Sequence, residues 1–331
     1  MSKDKKKSDI VKEYLKQYPN MAKKTLATKI YEDNKLIFKD PESVRTIIRL
    51  YTGSKGKKAL NDLADTTFLD PEKRKIKYNL PESITTEYTP YKIIGEKGLV
   101  VSDIHVPFHS INALETMFMF TEDKNMDFVI LNGDIMDCFD ISFFCKEPNK
   151  SLLTEEREKT KQLLKTFKEV YPNAKIYYKF GNHEKRFEQY LMSKAPELWG
   201  FEEFRLHVIL DLFNLGIEYI PEDKYIDLMG LSILHGHEYK NAISSPANPA
   251  RTLFLRTKGT ALCGHHHQTS EHTETRITGE VLTCWSLGCM SELHPKYMPL
   301  NKWNHGFAVY EKFEDDMWFV RNKRIIKGQV V

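Results

Sequence analysis

Lys97-Gly98-Leu99-Val100-Val101-Ser102-Asp103-Ile104-His105 is the stretch whose reading decides the fold. A short apolar run gives way to a carboxylate and, two residues on, to an imidazole. That pattern predicts a buried strand that stops at the surface of a sheet. At strand spacing, residues two apart share a side. Asp103 and His105 are therefore expected to leave the strand end together, the start of a metal site.

The same logic recurs downstream. Ile111 to Phe120 reads as a helix, and a strand from Phe128 to Leu131 runs into Gly133-Asp134, where a tight glycine turn sets the carboxylate at the strand end. A charged helix follows from about Thr154 to Val170. A third strand ends at Gly181-Asn182-His183-Glu184, and a fourth, Leu231 to Leu234, ends at His235. Gly264-His265-His266-His267 then places two imidazoles two residues apart, again on one side of a strand or turn. In open α/β sheets, ligands bind outside the carboxyl ends of strands, where all of these fall. A lone histidine there is commonly a satisfied structural residue, but five such ends in series point to a metal centre.

The 331 residues are 41% hydrophobic and 29% charged, as in an ordinary globular chain of one large domain or one plus a smaller one. No apolar run approaches the roughly 18 residues of a membrane helix. The basic start, MSKDKKKSD, lacks the apolar segment of a secretory signal. A cytoplasmic protein with no membrane partner is the expectation. The five cysteines (Cys138, Cys145, Cys263, Cys284, Cys289) form no C-x-x-C pair and predict reduced thiols. Cys284 and Cys289 read as buried strand cysteines, with a zinc half-site as the alternative.

The net charge of +3 is unevenly spread. Residues 1–60 carry 16 Lys and Arg against 7 Asp and Glu, whereas the rest carries 33 against 39. A basic module attached to a neutral-to-acidic body is implied. Three helices are predicted in it, around Asp9 to Tyr18, Met21 to Glu32, and Asp40 to Gly53. The third has an Asp40 cap, Pro41 at its first position and a core stripe of Val44, Ile47, Ile48 and Tyr51. Arg45 and Arg49 share its polar flank, and Lys55, Lys57 and Lys58 follow. Such a unit resembles a helix-turn-helix or winged-helix module in contact with nucleic acid. The alternative is a helical appendage that packs on the body or mediates self-association. Residues 61–96 read as a connector, with a lead-in strand within Tyr88 to Ile94, and 97–331 as the domain that carries the strand-end groups. The tail from His305 reads as a closing hairpin turning at Glu314-Asp315-Asp316, with Trp303, Phe307 and Trp318 in the core.

The five motifs together resemble the calcineurin-like metallophosphoesterase family, whose pattern is D-x-H, G-D-x-x-D, G-N-H-[DE], H-G and G-H-x-H. Here they stand as Asp103-Ile-His105, Gly133-Asp134-Ile-Met-Asp137, Gly181-Asn182-His183-Glu184, His235-Gly236 and Gly264-His265-His266-His267. With D-x-H-x-P-F-H, G-N-H-E-x-R and the basic N-terminal region, the chain is also similar to phosphoesterases common in bacteriophage genomes, which would place it in a bacterial host's cytoplasm. The resemblance implies a four-layer α/β/β/α sandwich, two mixed sheets face to face with helices outside. It implies one metal held by Asp103, His105, Asp134 and His267, and a second by Asp134, Asn182, His235 and His265, with Asp134 as the bridge. His183 would be general acid or phosphoryl-oxygen donor, and attack would come from a metal-bridging hydroxide. His109, Asp137, Arg186 and His237 are candidate substrate-binding or ligand-orienting groups, and His266 is expected to point away. Mixed imidazole, carboxylate and amide ligands suit two transition-metal ions, manganese foremost, with iron, zinc, cobalt or nickel as alternatives.

The expected activity is phosphate-ester hydrolysis, and the basic module inclines the substrate toward nucleic acid, as for a nuclease or an end-processing phosphatase. The competing expectations are a protein phosphatase, a small-nucleotide phosphodiesterase, and a nucleic-acid-binding regulator with a vestigial metal site.

Overall fold

The structure, a computed structural model, describes residues 7–18, 21–52, 81–84, 88–143, 152–239, 247–314 and 317–331. The chain divides into two compact units, Met1–Thr85 and Thr86–Val331.

The first unit contains α1 (Lys7–Gln17), α2 (Lys23–Asp33) and α3 (Pro41–Thr52). The Asp40 carboxylate accepts the Ser43 backbone N–H at 2.7 Å, which caps α3. Val44, Ile48 and Tyr51 bury their side chains with Ile10, Val11, Leu26 and Ile30 in one small core. Phe38, from the α2–α3 link, joins them. Arg45 and Arg49 both lie against the Glu42 carboxylate, at 3.2 and 3.5 Å, as exposed ion pairs. Such pairs contribute only about 0–1 kcal/mol. Lys55, Lys57 and Lys58 lie outside the described residues.

The larger unit contains two sheets. One has the order β13-β12-β11-β2-β3-β4-β5 and the other β1-β6-β7-β8-β10-β9. In chain order these are β1 (Tyr91–Ile93), β2 (Lys97–Val101), β3 (Phe128–Asn132), β4 (Lys175–Lys179), β5 (Ile217–Ile220), β6 (Ile226–Leu228), β7 (Leu231–Leu234), β8 (Ala261–Cys263), β9 (Ser270–Thr275), β10 (Val281–Ser286), β11 (His305–Glu314), β12 (Met317–Ile326) and β13 (Gln329–Val330). The helices are α4 (Ile111–Thr121), α5 (Leu153–Val170), α6 (Asn182–Lys194), α7 (Leu206–Ile209) and α8 (Pro249–Thr257). No helix among the described residues is long and apolar enough to cross a membrane.

The period of two sorts each strand's side chains into layers. Val100, Phe128, Ile130 and Tyr177 of the first sheet pack with Ile226, Ile233, Leu262 and Trp285 of the second, forming the core between sheets. On its other face the first sheet's Leu99, Val101, Val129, Leu131, Ile176 and Tyr178 meet Leu114, Met117, Leu164, Phe167 and Leu191 of the outer helices. Ala250, Leu253 and Phe254 of α8 cover the second sheet's outer face at Leu234, Ala261 and Cys284. The architecture is the four-layer α/β/β/α sandwich.

Three expectations need correction. The lead-in strand does not belong to a connector. It is β1, it pairs in parallel with β6, and it draws the boundary of the larger unit back to Thr86. Cys284 lies in β10, but Cys289 is buried in the loop beyond it. Trp303 is half-buried and outside the core, whereas Phe307 is fully buried and Trp318 packs on the inter-sheet layer. Asp315 and Asp316 of the expected hairpin turn lie outside the described residues.

Candidate metal centre

β2, β3 and β4 are parallel neighbours in one sheet, and β7 and β8 in the other. Their carboxyl ends open toward one another, and the loops beyond them are stitched by backbone hydrogen bonds. The Asp103 N–H donates to the Gly133 carbonyl at 3.1 Å, the His105 N–H to that of Asp134 at 2.9 Å, and the Gly264 N–H to that of His235 at 2.9 Å.

The alternation expected to pair Asp103 with His105 does not apply, because β2 ends at Val101. Both residues instead take left-handed backbone conformations, with φ of 56° and 54°. So do Asp134 (53°), His265 (68°) and His267 (54°). Non-glycine residues held there cost on the order of 1–3 kcal/mol each, and such strain gathers at functional sites. Five candidate ligands share that feature, so their side chains are aimed by loop conformation and not by strand period.

The side chains form overlapping groups. The ligand atoms of Asp103, His105 and His267 lie within 4.8 Å of one another, as do those of Asp134, His235 and His265, and those of His105, Asp137 and His183. His267 Nε2 is 3.3 Å from Asp103 Oδ1 and 3.1 Å from His105 Nε2. His235 Nε2 is 3.1 Å from Asp134 Oδ2, which His105 Nε2 reaches at 4.0 Å, so Asp134 stands between two groups. His265 and His267 thus face different groups, although the sequence sets them two apart.

Proton bookkeeping favours a cation here. His105 Nδ1–H donates to Asp137 Oδ1 at 2.7 Å and His235 Nδ1–H to the Asn132 carbonyl at 2.7 Å. A ring held this way through Nδ1 turns its Nε2 toward the centre, where the neutral form would offer a lone pair, the arrangement that outer partners impose on metal-ligating histidines. Asp103 Oδ1, Asn182 Oδ1 and His235 Nε2 are buried without a hydrogen-bond partner. Lone pairs and carboxylates facing one another in a dry pocket need a positive charge among them. The residues present fit divalent cations.

Without a metal, protons supply that charge. Burial opposes ionisation of His235, yet the Asp134 and Asp103 carboxylates prevail and raise its pKa to about 10. His267 is raised in the same way by Asp103. Burial and the charge on His235 lower His265 to about 3. Asp134 ionises well below the usual carboxylate range, against its burial, because histidines surround it.

Several supporting groups, Glu184 of the Gly181–Glu184 motif among them, had no role in the sequence reading. The Glu184 carboxylate is fully buried and accepts five hydrogen bonds. Oε1 takes the N–H of Ile135 (2.7 Å), the N–H of Met136 (3.0 Å) and the Tyr178 hydroxyl (2.7 Å). Oε2 takes the N–H groups of Asp134 (3.0 Å) and Gly181 (2.8 Å). It ties the Asp134 loop to the start of α6, where Asn182 sits. Lys179, fully buried at the end of β4, pairs with Glu238 at 3.0 Å, and Glu238 accepts the N–H groups of His235 and Gly236. Glycine is required where loops close on these carboxylates. A Cβ on Gly181 would lie 2.3 Å from Asp134 Oδ1, and one on Gly264 2.6 Å from Asp103 Oδ2.

The other candidates are placed unevenly. Asp137 holds both His105 and His183, since its Oδ1 is also 3.0 Å from His183 Nδ1. Arg186 donates to the Asp137 carbonyl at 3.0 Å and to His183 Nε2 at 2.9 Å. His237 stands beside His235, ring centroids 5.3 Å apart, and burial lowers its pKa to about 4. The His266 N–H bonds within its own motif, to the Gly264 carbonyl. His109 instead lines a cavity of about 380 Å³ with Phe108, Glu292, Leu293 and His305, none of them a candidate ligand. Trp303 packs its ring 4.2 Å from that of His267.

Overlapping groups of candidate metal ligands thus lie beyond the carboxyl ends of strands from both sheets. Residues 97–275 match the calcineurin-like phosphoesterase family, and the chain belongs to it. In sequence it is similar to the Gene 54 proteins of Mycobacterium phages L5 and D29. Each is 25% identical, over 65% of this chain and 89% of the relative. Among solved structures it is similar to Vps29 of Entamoeba histolytica, with 14% identity, a TM-score of 0.37, and coverage of 71% of this chain and 96% of that one.

Proposed function

We propose that this protein is a dinuclear metal-dependent phosphoesterase whose substrate is a phosphate ester in nucleic acid, as for a nuclease or an end-processing phosphatase. The observation that carries the hydrolytic reading is the set of buried, unpartnered polar atoms on Asp103, Asn182 and His235, together with the overlapping groups that bring Asp103, His105 and His267 and Asp134, His235 and His265 together. Divalent cations held by Asp103, His105, Asp134 and His267 and by Asp134, Asn182, His235 and His265 would supply Lewis-acid polarisation of the phosphoryl group and activation of water. Asp137 orients His105 as a ligand and holds His183 at the rim. Arg186 stands beside His183, and His183 can donate to a phosphoryl or leaving oxygen only once the Arg186 N–H has left its Nε2.

The nucleic-acid part rests on the charge of residues 1–60 and on Arg45 and Arg49, which are exposed on one flank of α3. The test is hydrolysis by metal-reconstituted protein of a panel of single-stranded DNA, duplex DNA, RNA, cyclic nucleotides and phosphopeptides. Removal of residues 1–60 should leave a small chromogenic phosphodiester nearly unaffected while weakening nucleic-acid binding, most at low salt. Preference for phosphopeptides, with nucleic-acid binding unchanged by the deletion, would refute the substrate assignment.

A further inference from the structure

The segment between Leu293 and Asn304 carries Tyr297, Met298 and Leu300 at 74%, 43% and 94% exposure, a concentration of bare apolar side chains in a few residues. It is nevertheless a fastened loop. The Asn301 side-chain amide donates to the carbonyls of Leu293 (2.6 Å) and Met298 (2.8 Å), while its Oδ1 accepts the Trp303 N–H at 2.9 Å. The Asn304 N–H donates to the His267 carbonyl at 2.9 Å, which anchors the loop to the ligand motif itself. Trp303 is thereby held half-buried, its ring tilted at 52° to that of His267 with centroids 4.2 Å apart, and the Tyr297 ring edge-on at 6.3 Å.

We propose that Trp303, assisted by Tyr297, is a stacking platform for a base of single-stranded nucleic acid whose phosphate lies in the metal centre. The inference rests on the phosphoesterase reading and names the substrate class for that site. Trp303 stays half-buried against the candidate ligand His267, outside the core that fully buries nearby Phe307. An indole fixed beside a phosphate-binding centre lies within reach of the nucleoside attached to that phosphate. Every base offers a π-face, so stacking of this kind accepts any sequence. Lys296 and Lys302 alternate with the aromatic residues along the loop, the interleaving of basic and stacking groups that tracks a polyanionic strand. A phosphotyrosyl ring could also meet Trp303, but it brings no neighbouring phosphates for the two lysines.

The test uses the full, metal-loaded chain and oligothymidylate with phosphorothioate linkages, which resist hydrolysis, so that binding is read without turnover. Oligothymidylate should quench tryptophan emission in the wild type, and Trp303→Phe should abolish that quenching while largely preserving affinity. Trp303→Leu should weaken oligothymidylate binding, measured by anisotropy, on the order of 5- to 150-fold, the range supplied by one stacked base. Tyr297→Leu, at an exposed position where folding is not in question, should weaken it in the same direction by less. In turnover assays, the ratio of kcat/KM for a thymidine dinucleotide to that for an aliphatic phosphate ester should fall in Trp303→Leu. Equal quenching and affinity in all variants overturns the platform even if the protein is a nuclease. A proportional fall on both esters, or a loss confined to a phosphotyrosyl peptide, also overturns it. A Trp303 dependence of binding in a protein that hydrolyses no nucleic acid supports the platform and refutes the proposed function instead.

Discussion

Glu184→Gln isolates how the two ligand loops are held. The native carboxylate satisfies three donors through Oε1 and two through Oε2, all of them buried. A glutamine keeps its oxygen on the side of Tyr178, Ile135 and Met136, because that orientation strands fewer groups. Its amide nitrogen then faces the N–H groups of Asp134 and Gly181, donor against donor. Two buried amides lose their acceptor, at about 1–3 kcal/mol each, so the variant should lose roughly 2–6 kcal/mol. That is a large share of the 5–15 kcal/mol typical of a domain. All four tryptophans (Trp199, Trp285, Trp303, Trp318) lie in the larger unit, so urea unfolding followed by tryptophan emission reports on that unit alone. Because the cradle sets the positions of both Asp134 and Asn182, metal affinity measured in native buffer should fall as well. A loss of stability below about 1 kcal/mol, with unchanged metal binding, would show that the loops hold themselves.

Asp134→Asn should abolish turnover and lower metal occupancy at both positions, whereas His267→Ala should affect mainly one; elemental analysis finding two ions per chain and near-normal rates in Asp134→Asn refutes the bridge. His183→Ala should retain metal while kcat falls roughly 10²- to 10⁴-fold, least for esters with good leaving groups; equal impairment on nitrophenyl and alkyl esters removes its acid role. In the metal-free protein His235 is raised from 6.5 to about 10, so the stability it contributes is full below about pH 6.5 and is lost as pH rises through about 10. A cation must displace that proton, so metal affinity should rise with pH across this window. Calorimetry at pH 8 in buffers of different ionisation enthalpy should show proton release that shrinks in His235→Ala, and identical release in both proteins would refute the assignment.

Much of the candidate site was legible because the residue type of a candidate ligand and its immediate setting are local properties. An apolar run followed by Asp, His or Gly-Asn-His declares both a strand and its polar end within a few residues, and β2, β3, β4, β7 and β8 all end where that pattern stops. α3 was legible for the same reason, since Asp40, Pro41 and the Val44-to-Tyr51 stripe are all short-range signals. Local pattern was silent or misleading wherever the partner lay far along the chain. The period of two suggested why Asp103 and His105 should converge, but left-handed loops do it, and loop backbone is set by bonds to Gly133 and Asp134. Glu184 looks like one more charged residue at a helix start until Asp134, Ile135 and Met136 arrive from another loop to fill its carboxylate. Trp303 reads as core by hydrophobicity, yet Asn304's bond to His267 carries it to the rim of the centre. Composition records how apolar or charged a side chain is. Only the tertiary structure decides which distant backbone groups a buried carboxylate must satisfy, and that decision holds the ligands in place.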